Sequence, residues 1–112
     1  MHKISEFSEL TGLSKETLRY YEKAGLLEPA HVDPANNYRF YDDGSYFLAI
    51  LLVQLRKLGF SIQEMLAVMN DESFARLEAI VIEKRDNVHR QITQMNQQLN
   101  DIDEFLASGR GE

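Results

Sequence analysis

Residues 4–29 read ISEFSELTGLSKETLRYYEKAGLLEP, and this stretch decides the fold. Ser5 stands where a short first helix would be capped, with apolar positions Ile4, Phe7 and Leu10 at three-residue steps and Gly12 where the helix would end. Ser14 caps a second helix predicted over Lys15 to Ala24, and Gly25 closes it. Only TGLS, residues 11–14, separates the two. Two short helices joined by a tight glycine-containing turn form a helix-turn-helix, whose second helix can lie in a DNA major groove. Unrelated helical hairpins share that pattern, so its meaning depends on the flanking residues.

The helical period breaks after this stretch. Residues 28–41, EPAHVDPANNYRFY, hold two prolines and an Asn-Asn pair, the marks of a turn. Asn36 and Asn37 can head a hairpin because asparagine tolerates positive φ, and Tyr38, Arg39, Phe40 and Tyr41 are aromatic-rich in the way strands are. Alternation places Tyr38 and Phe40 on one face and Arg39 and Tyr41 on the other. A hairpin directly after a helix-turn-helix makes a winged helix.

A third helix is expected from about Asp43 to Leu58, nearly apolar all round at its start and so buried there, with Gly59 at its end. Ser61 caps a fourth, with Glu64 completing a capping box and Ile62, Leu66 and Met69 on its inner side. Residues 72–107 contain neither glycine nor proline. Phe74, Leu77, Val81, Val88, Ile92, Met95, Leu99, Ile102 and Leu106 step through them by threes and fours, a heptad seam with a four-residue stutter and with Lys84 in one seam position. An apolar stripe roughly 50 Å long outreaches any small domain, so a partner helix must cover it, and a second copy of the chain is the simplest source. The expected organisation is mainly α: a DNA-binding winged helix with a second helical pair over 1–71, a dimerisation helix over 72–107 and a frayed tail over 108–112.

Composition bounds the chemistry. The 112 residues are 44% hydrophobic and include no cysteine, which removes disulfides, thiolate metal sites and thiol nucleophiles. The longest apolar run, YFLAILLV at 46–53, is eight residues, far short of the roughly 20 that cross a bilayer, so no membrane association and a cytoplasmic location are expected. His2, His31 and His89 lack ligand spacing, and no nucleophile–base pair or phosphate-cradling glycine loop occurs; neither a metal, another cofactor nor an enzymatic activity is expected. The net charge of −6 argues mildly against nucleic acid, but residues 1–59 carry seven Lys/Arg against eight Asp/Glu while residues 60–112 carry five against ten. The acidity belongs to the second half.

Four blocks in order resemble the MerR-type bacterial transcription regulators: residues 4–29 their helix-turn-helix, NNYRFY their wing, LRKLGFSIQEM their second helical pair, and 74–106 their dimerisation helix. That resemblance implies a homodimer whose terminal helices pair antiparallel and which presents two winged helices to a palindromic promoter in double-stranded DNA. It further implies activation by bending and untwisting an over-long promoter so that RNA polymerase can read both of its elements. The chain departs from the family pattern at Asn37, where glycine is usual, and at the start of the third helix, which lacks the family's acidic residue followed by Leu and its Arg near the position of Leu48. The cysteines of metal- and redox-sensing members are absent, and the residues after Leu106 do not resemble a drug-binding domain, so the effector is left undefined.

On the second helix Leu18 and Tyr21 share one side, while Arg19, Tyr20 and Lys23 lead outward. Arg19 can fork onto phosphate or onto guanine O6 and N7, and the hydroxyls of Tyr20 and Tyr21 can reach phosphate while the rings pack on sugars. Against this, Arg19 can pair with Glu16 or Glu22, and Tyr21 can serve the core. Arg39 on the wing can clamp phosphate or enter the minor groove, or stack on Tyr41; Tyr38 can touch the backbone or pack the wing onto the core. Ser14, Lys15 and Thr17 offer hydroxyl and ammonium contacts to phosphate, Ser14 being first of all a cap. Two rival functions fit the same pattern: an acidic coiled-coil module that binds another regulator, and an architectural DNA bender.

Overall fold

The computed structural model describes residues 1–70 and 75–109. The chain divides into two compact units, Met1–Glu72 and Ser73–Glu112. The first unit contains, in order, β1 (His2–Lys3), α1 (Ile4–Thr11), α2 (Lys15–Ala24), β2 (His31–Val32), β3 (Arg39–Tyr41), α3 (Asp43–Lys57) and α4 (Ile62–Met69). The second contains α5 (Leu77–Ser108).

The helix-turn-helix is held by local chemistry. Ser14 accepts a hydrogen bond from the Thr17 amide at 3.0 Å and so satisfies one of the donors that the first turn of α2 leaves open. Gly12 and Gly25 end α1 and α2 at φ +80° and +82°, a conformation that a Cβ would strain. In the turn between the helices, Thr11 donates to the Phe7 carbonyl at 2.8 Å and accepts from the Leu13 amide at 3.2 Å. The buried hydroxyl is thereby satisfied, and the turn is tied to the last turn of α1.

Three details of α1 differ from the sequence expectation. Lys3, not Ser5, occupies the N-cap, and the Glu6 carboxylate accepts from the Lys3 amide at 3.4 Å. Leu10 is 51% exposed, and the buried stripe runs instead through Phe7 and Thr11. In a helix only eight residues long, positions three and four residues from Phe7 lie on opposite flanks of it, and the core lies on the Thr11 side.

The wing is a three-stranded antiparallel sheet in the order β1-β3-β2. Its registers are His2 with Tyr41 and Lys3 with Phe40 on one side, His31 with Phe40 and Val32 with Arg39 on the other. Asn37 has φ +60°, the left-handed conformation expected of the hairpin head. Asn36 Oδ1 accepts from the Tyr38 amide at 2.9 Å, and the Asn37 amide donates to the Asp33 carbonyl at 2.7 Å.

Tyr41 anchors the wing to the helices. Its ring stacks on Phe7, with centroids 4.3 Å apart and planes 8° from parallel. Leu18, Tyr21, Leu26, Leu27, Ala49, Leu52, Leu55, Phe60, Met65 and Val68 complete the core. Burial raises the affinity of the Tyr41 phenol for its proton, and the charge of Glu22 adds to the effect against Arg39 and Arg19.

The second helical pair is similarly punctuated. Asp42 caps α3, accepting from the Ser45 amide at 2.9 Å and the Ser45 hydroxyl at 3.0 Å, and these bonds hold its carboxyl below the ordinary aspartate value. Contrary to expectation, the start of α3 is buried on one side only: Ser45, Ala49, Leu52 and Leu55 face inward, and Phe47 is exposed. Ser61 and Glu64 form the capping box of α4. Its fully buried residues are Met65 and Val68, whereas Ile62, Leu66 and Met69 are half-buried.

In the second unit α5 begins at Leu77, five residues later than expected, and runs through Ser108 into the expected tail. Its 32 residues span about 48 Å at 1.5 Å per residue, and none of them is buried. Val88, Ile92, Met95, Leu99, Ile102 and Leu106 are all exposed, as is Phe105, which is not a position of the heptad seam. Phe74, and residues 110–112 of the expected tail, lie outside the described residues.

The hydroxyl of Tyr41 is buried without a hydrogen-bond partner among the described residues. A desolvated, unpaired hydroxyl is unfavourable by about 1–3 kcal/mol, so Tyr41→Phe should leave the stack on Phe7 intact and stabilise the first unit by roughly 1 kcal/mol. Urea unfolding checks this through a raised midpoint at unchanged slope. A lowered midpoint would mean that the hydroxyl has a partner.

Candidate nucleic-acid interface

At about 100° per residue, Lys15, Arg19 and Lys23 fall at i, i+4 and i+8 on α2 and form a single stripe. All three are exposed, while Leu18 and Tyr21 point into the core. A helix cannot bury both of two adjacent residues on a narrow face, which decides the fate of the tyrosine pair. Tyr20 is 54% exposed and Tyr21 only 3%. The expectation that the Tyr21 ring packs on sugars is therefore corrected: Tyr21 is a core residue, tilted at 43° to the outer ring of Tyr20.

The hydroxyl groups at the start of α2 are partly engaged with one another. Ser14 donates to Thr17 Oγ1 at 2.9 Å while accepting from the Thr17 amide. Ser14 thus acts as the cap, and both hydroxyls retain lone pairs toward solvent. Lys15 stands beside them with its ammonium exposed.

From the wing, Tyr38 projects with 56% of its surface exposed. Arg39 is held rather than free. Its Nε and Nη2 donate to the two carboxylate oxygens of Glu22 at 2.5 and 3.3 Å, and its Nη1 donates to the Asn37 carbonyl at 3.1 Å. The hydrogen bonds that Arg39 donates to Glu22, then the charge of Glu22, raise the Arg39 pKa above the ordinary arginine value, so the guanidinium stays cationic throughout the working pH range. From the sequence, Tyr41 is the expected alternative partner of Arg39, and Glu22 a partner of Arg19; the observed bond instead joins Arg39 to Glu22, seventeen residues away on a different element.

These side chains converge. A groove of about 240 Å³ opens between the wing and the starts of α1 and α2, lined by Lys3, Lys15, Arg19 and Arg39 together with Asn37 and Tyr38, Ile4 and Ser5. Four cations and no carboxylate line it. Such a concentration on one face of a chain with net charge −6 is a local potential that overall charge conceals. Nothing in the sequence singles out Lys3. It reaches the groove because β1 pairs with β3, and a two-residue strand carries too little alternation to be read. Lys23 continues the cationic stripe toward the other end of α2, outside the groove lining. No group of three or more His, Cys, Asp or Glu side chains able to hold a metal occurs among the described residues.

An exposed cationic helix in a helix-turn-helix, flanked by a wing carrying an arginine and a tyrosine, defines a DNA-binding regulator of transcription. Comparison with known proteins gives the family. Residues 3–41, from the last residue of β1 through β3, match the MerR family regulatory protein. The chain is 31% identical over 114 residues to the HTH-type transcriptional regulator HmrR of Sinorhizobium medicae (strain WSM419), an alignment that covers 97% of this chain and 77% of HmrR. Among solved structures, the EcmrR–DNA complex in EcmrR-RPo superposes with a TM-score of 0.78 at 33% identity, covering 99% of this chain and 40% of that one. HiNmlR, a MerR family regulator lacking the sensor domain and bound to promoter DNA, superposes with a TM-score of 0.58 at 26% identity, covering 95% of this chain and 87% of that one. The protein belongs to the MerR family.

The different fates of the adjacent tyrosines are testable through stability alone. Tyr21→Ala empties a core position and should destabilise the first unit by about 3–5 kcal/mol. Tyr20→Ala removes an exposed ring and should change stability by no more than about 0.5 kcal/mol. Equal effects in denaturant unfolding would contradict the assignment of one ring to the core and the other to the surface.

Proposed function

We propose that the protein acts as a homodimer on a palindromic promoter, with α2 lying in the major groove and the wing against the adjoining backbone. In this arrangement Arg19 forks onto phosphate or a guanine edge, and Tyr20 donates its hydroxyl to phosphate. Lys15, Lys23 and the Thr17 hydroxyl add backbone contacts, with Ser14 setting the helix end that aims them. Arg39 and Tyr38 of the wing hold the neighbouring phosphates, and Lys3 joins them from β1. The observation that carries this proposal is the convergence of four cations from three separate elements, β1, α2 and β3, on one groove.

The dimer rests on α5. An apolar stripe along a 32-residue helix with no buried position is an incomplete core, and a copy of the same helix is complementary to it in length and pattern. Antiparallel pairing joins the two copies symmetrically, so each dimer presents two equivalent winged helices to the two halves of a palindrome. The first unit then carries the DNA-binding part, and α5, Leu77–Ser108, is the dimerisation helix. The neighbours solved with DNA, EcmrR in EcmrR-RPo and HiNmlR on promoter DNA, support action on promoter DNA; the mode of action is distortion of the promoter, in which bending and untwisting bring two promoter elements into register for RNA polymerase. Deforming a site of this size requires several kcal/mol, within the range a dimeric interface supplies. A bacterial regulator acting on promoter DNA works in the cytoplasm, and no helix among the described residues is long and apolar enough to cross a membrane.

Selection of duplexes from random DNA by the purified protein, with Arg19→Ala alongside, tests the proposal. Wild-type protein should enrich a palindrome, binding it with steep salt dependence, and Arg19→Ala should lose the preference together with about 1–3 kcal/mol of affinity. Enrichment of no sequence at moderate salt, or an unchanged preference in the variant, would contradict the assignment of α2 as the reading element.

A further inference from the structure

Glu22 belongs to the same helix as the cationic stripe, yet its carboxylate turns to the wing and takes hold of Arg39 through both oxygens. A guanidinium has five N–H groups. Here three are engaged, two with Glu22 and one with the Asn37 carbonyl at the left-handed turn residue. One N–H on each terminal nitrogen is left over, and Arg39 lines the groove it shares with Lys15 and Arg19. The planar fork of the pair permits one relative orientation of the two groups, which a lysine in place of Arg39 would not enforce.

We propose that Glu22 is the positioning residue of the wing: its two-pronged hold aims the remaining N–H groups of Arg39 at the phosphate that enters the groove, and its charge restrains Arg39 from engaging phosphate in any other geometry. This rests on the DNA interface proposed above. An unheld arginine on a hairpin is a mobile cation that adds attraction to every phosphate, whatever the sequence. A held one adds attraction only when the duplex sits in the register that α2 dictates, and its ordering is complete before DNA arrives. The Glu22–Arg39 pair thereby converts a general cation into a contribution to discrimination between sites. It also ties the wing to the recognition helix, so that the two elements approach DNA with a fixed spacing.

The test compares wild type, Glu22→Gln, Arg39→Ala and the double variant, each measured across salt on two duplexes: the palindrome that wild type enriches, and a scrambled duplex of equal length. Glu22→Gln keeps the shape of the side chain and removes the charge. It should bind scrambled DNA several-fold more tightly, with a salt slope steeper by about 0.9, the signature of one additional phosphate contact. The ratio of palindrome to scrambled affinity should fall about tenfold. In the Arg39→Ala background the same substitution should change neither the ratio nor the slope. Arg39→Lys, which keeps the charge and loses the fork, should lower the ratio as Glu22→Gln does, and serves as the test should Glu22→Gln fail to fold.

An unchanged ratio and slope in a folded Glu22→Gln protein would overturn the proposal. So would an equal change with Arg39 absent, because Glu22 would then act as a general repulsive charge. If wild type itself enriches no palindrome and binds without salt dependence, the interface is wrong and the proposal falls with it. A wild type that selects a palindrome, matched by Glu22→Gln on both duplexes, defeats the positioning role alone.

Discussion

Three residues of β3 hold the first unit together, and each meets a different demand. Tyr41 stacks face to face on Phe7 and fixes the sheet to α1. Phe40 pairs with Lys3 on one side and His31 on the other, so the strand closes both ladders of the sheet. Arg39 reaches across to Glu22 of α2. Without this central strand neither β1 nor β2 would have a partner, and the cations the wing carries would have no fixed relation to those of the recognition helix. The geometry of the candidate interface is in this sense a consequence of one short strand packed on one aromatic ring.

Electrostatics obey the same logic of placement over composition. Net charge is negative, and the acidic excess lies in residues 60–112. Lys3, Lys15, Arg19 and Arg39 come from positions scattered over the first 39 residues, yet β1–β3 pairing and the helix-turn-helix bring them to one groove. Within a Debye length of roughly 8–10 Å the local cluster, rather than the net charge of the chain, governs what a phosphate encounters. A MerR family member with an acidic second half and a cationic groove can thus bind DNA through the groove while its acidic surface is repelled from it.

Much of this architecture is legible in the sequence because strong local signals mark it. Ser14 and Gly25 bound α2 where the cap and the left-handed stop require, Asn37 takes its positive φ at the hairpin head, and Ser61 with Glu64 opens α4. The illegible features depend on tertiary partners. Spacing places Tyr21 on the Leu18 side of α2 and Tyr20 outside, but how completely that side is buried depends on the elements packed against it. Leu10 and Phe47 are apolar yet exposed, because each lies on the outer flank of its helix. The strand β1 is two residues long, below the length at which alternation carries information, so Lys3 is invisible in the sequence as a groove residue. The bond between Glu22 and Arg39 spans two elements, and periodicity within either one cannot reveal it.

The most direct test of the interface is amide chemical-shift mapping of the 112-residue protein titrated with a duplex that it binds. Recognition through α2 and the wing predicts perturbations concentrated in Ser14 to Lys23, in Asn36 to Arg39 and at Lys3, with the exposed apolar residues Phe47 and Leu58 of the second helical pair left unmoved. Perturbations centred on α3, or confined to α5, with α2 and the wing silent, would contradict it.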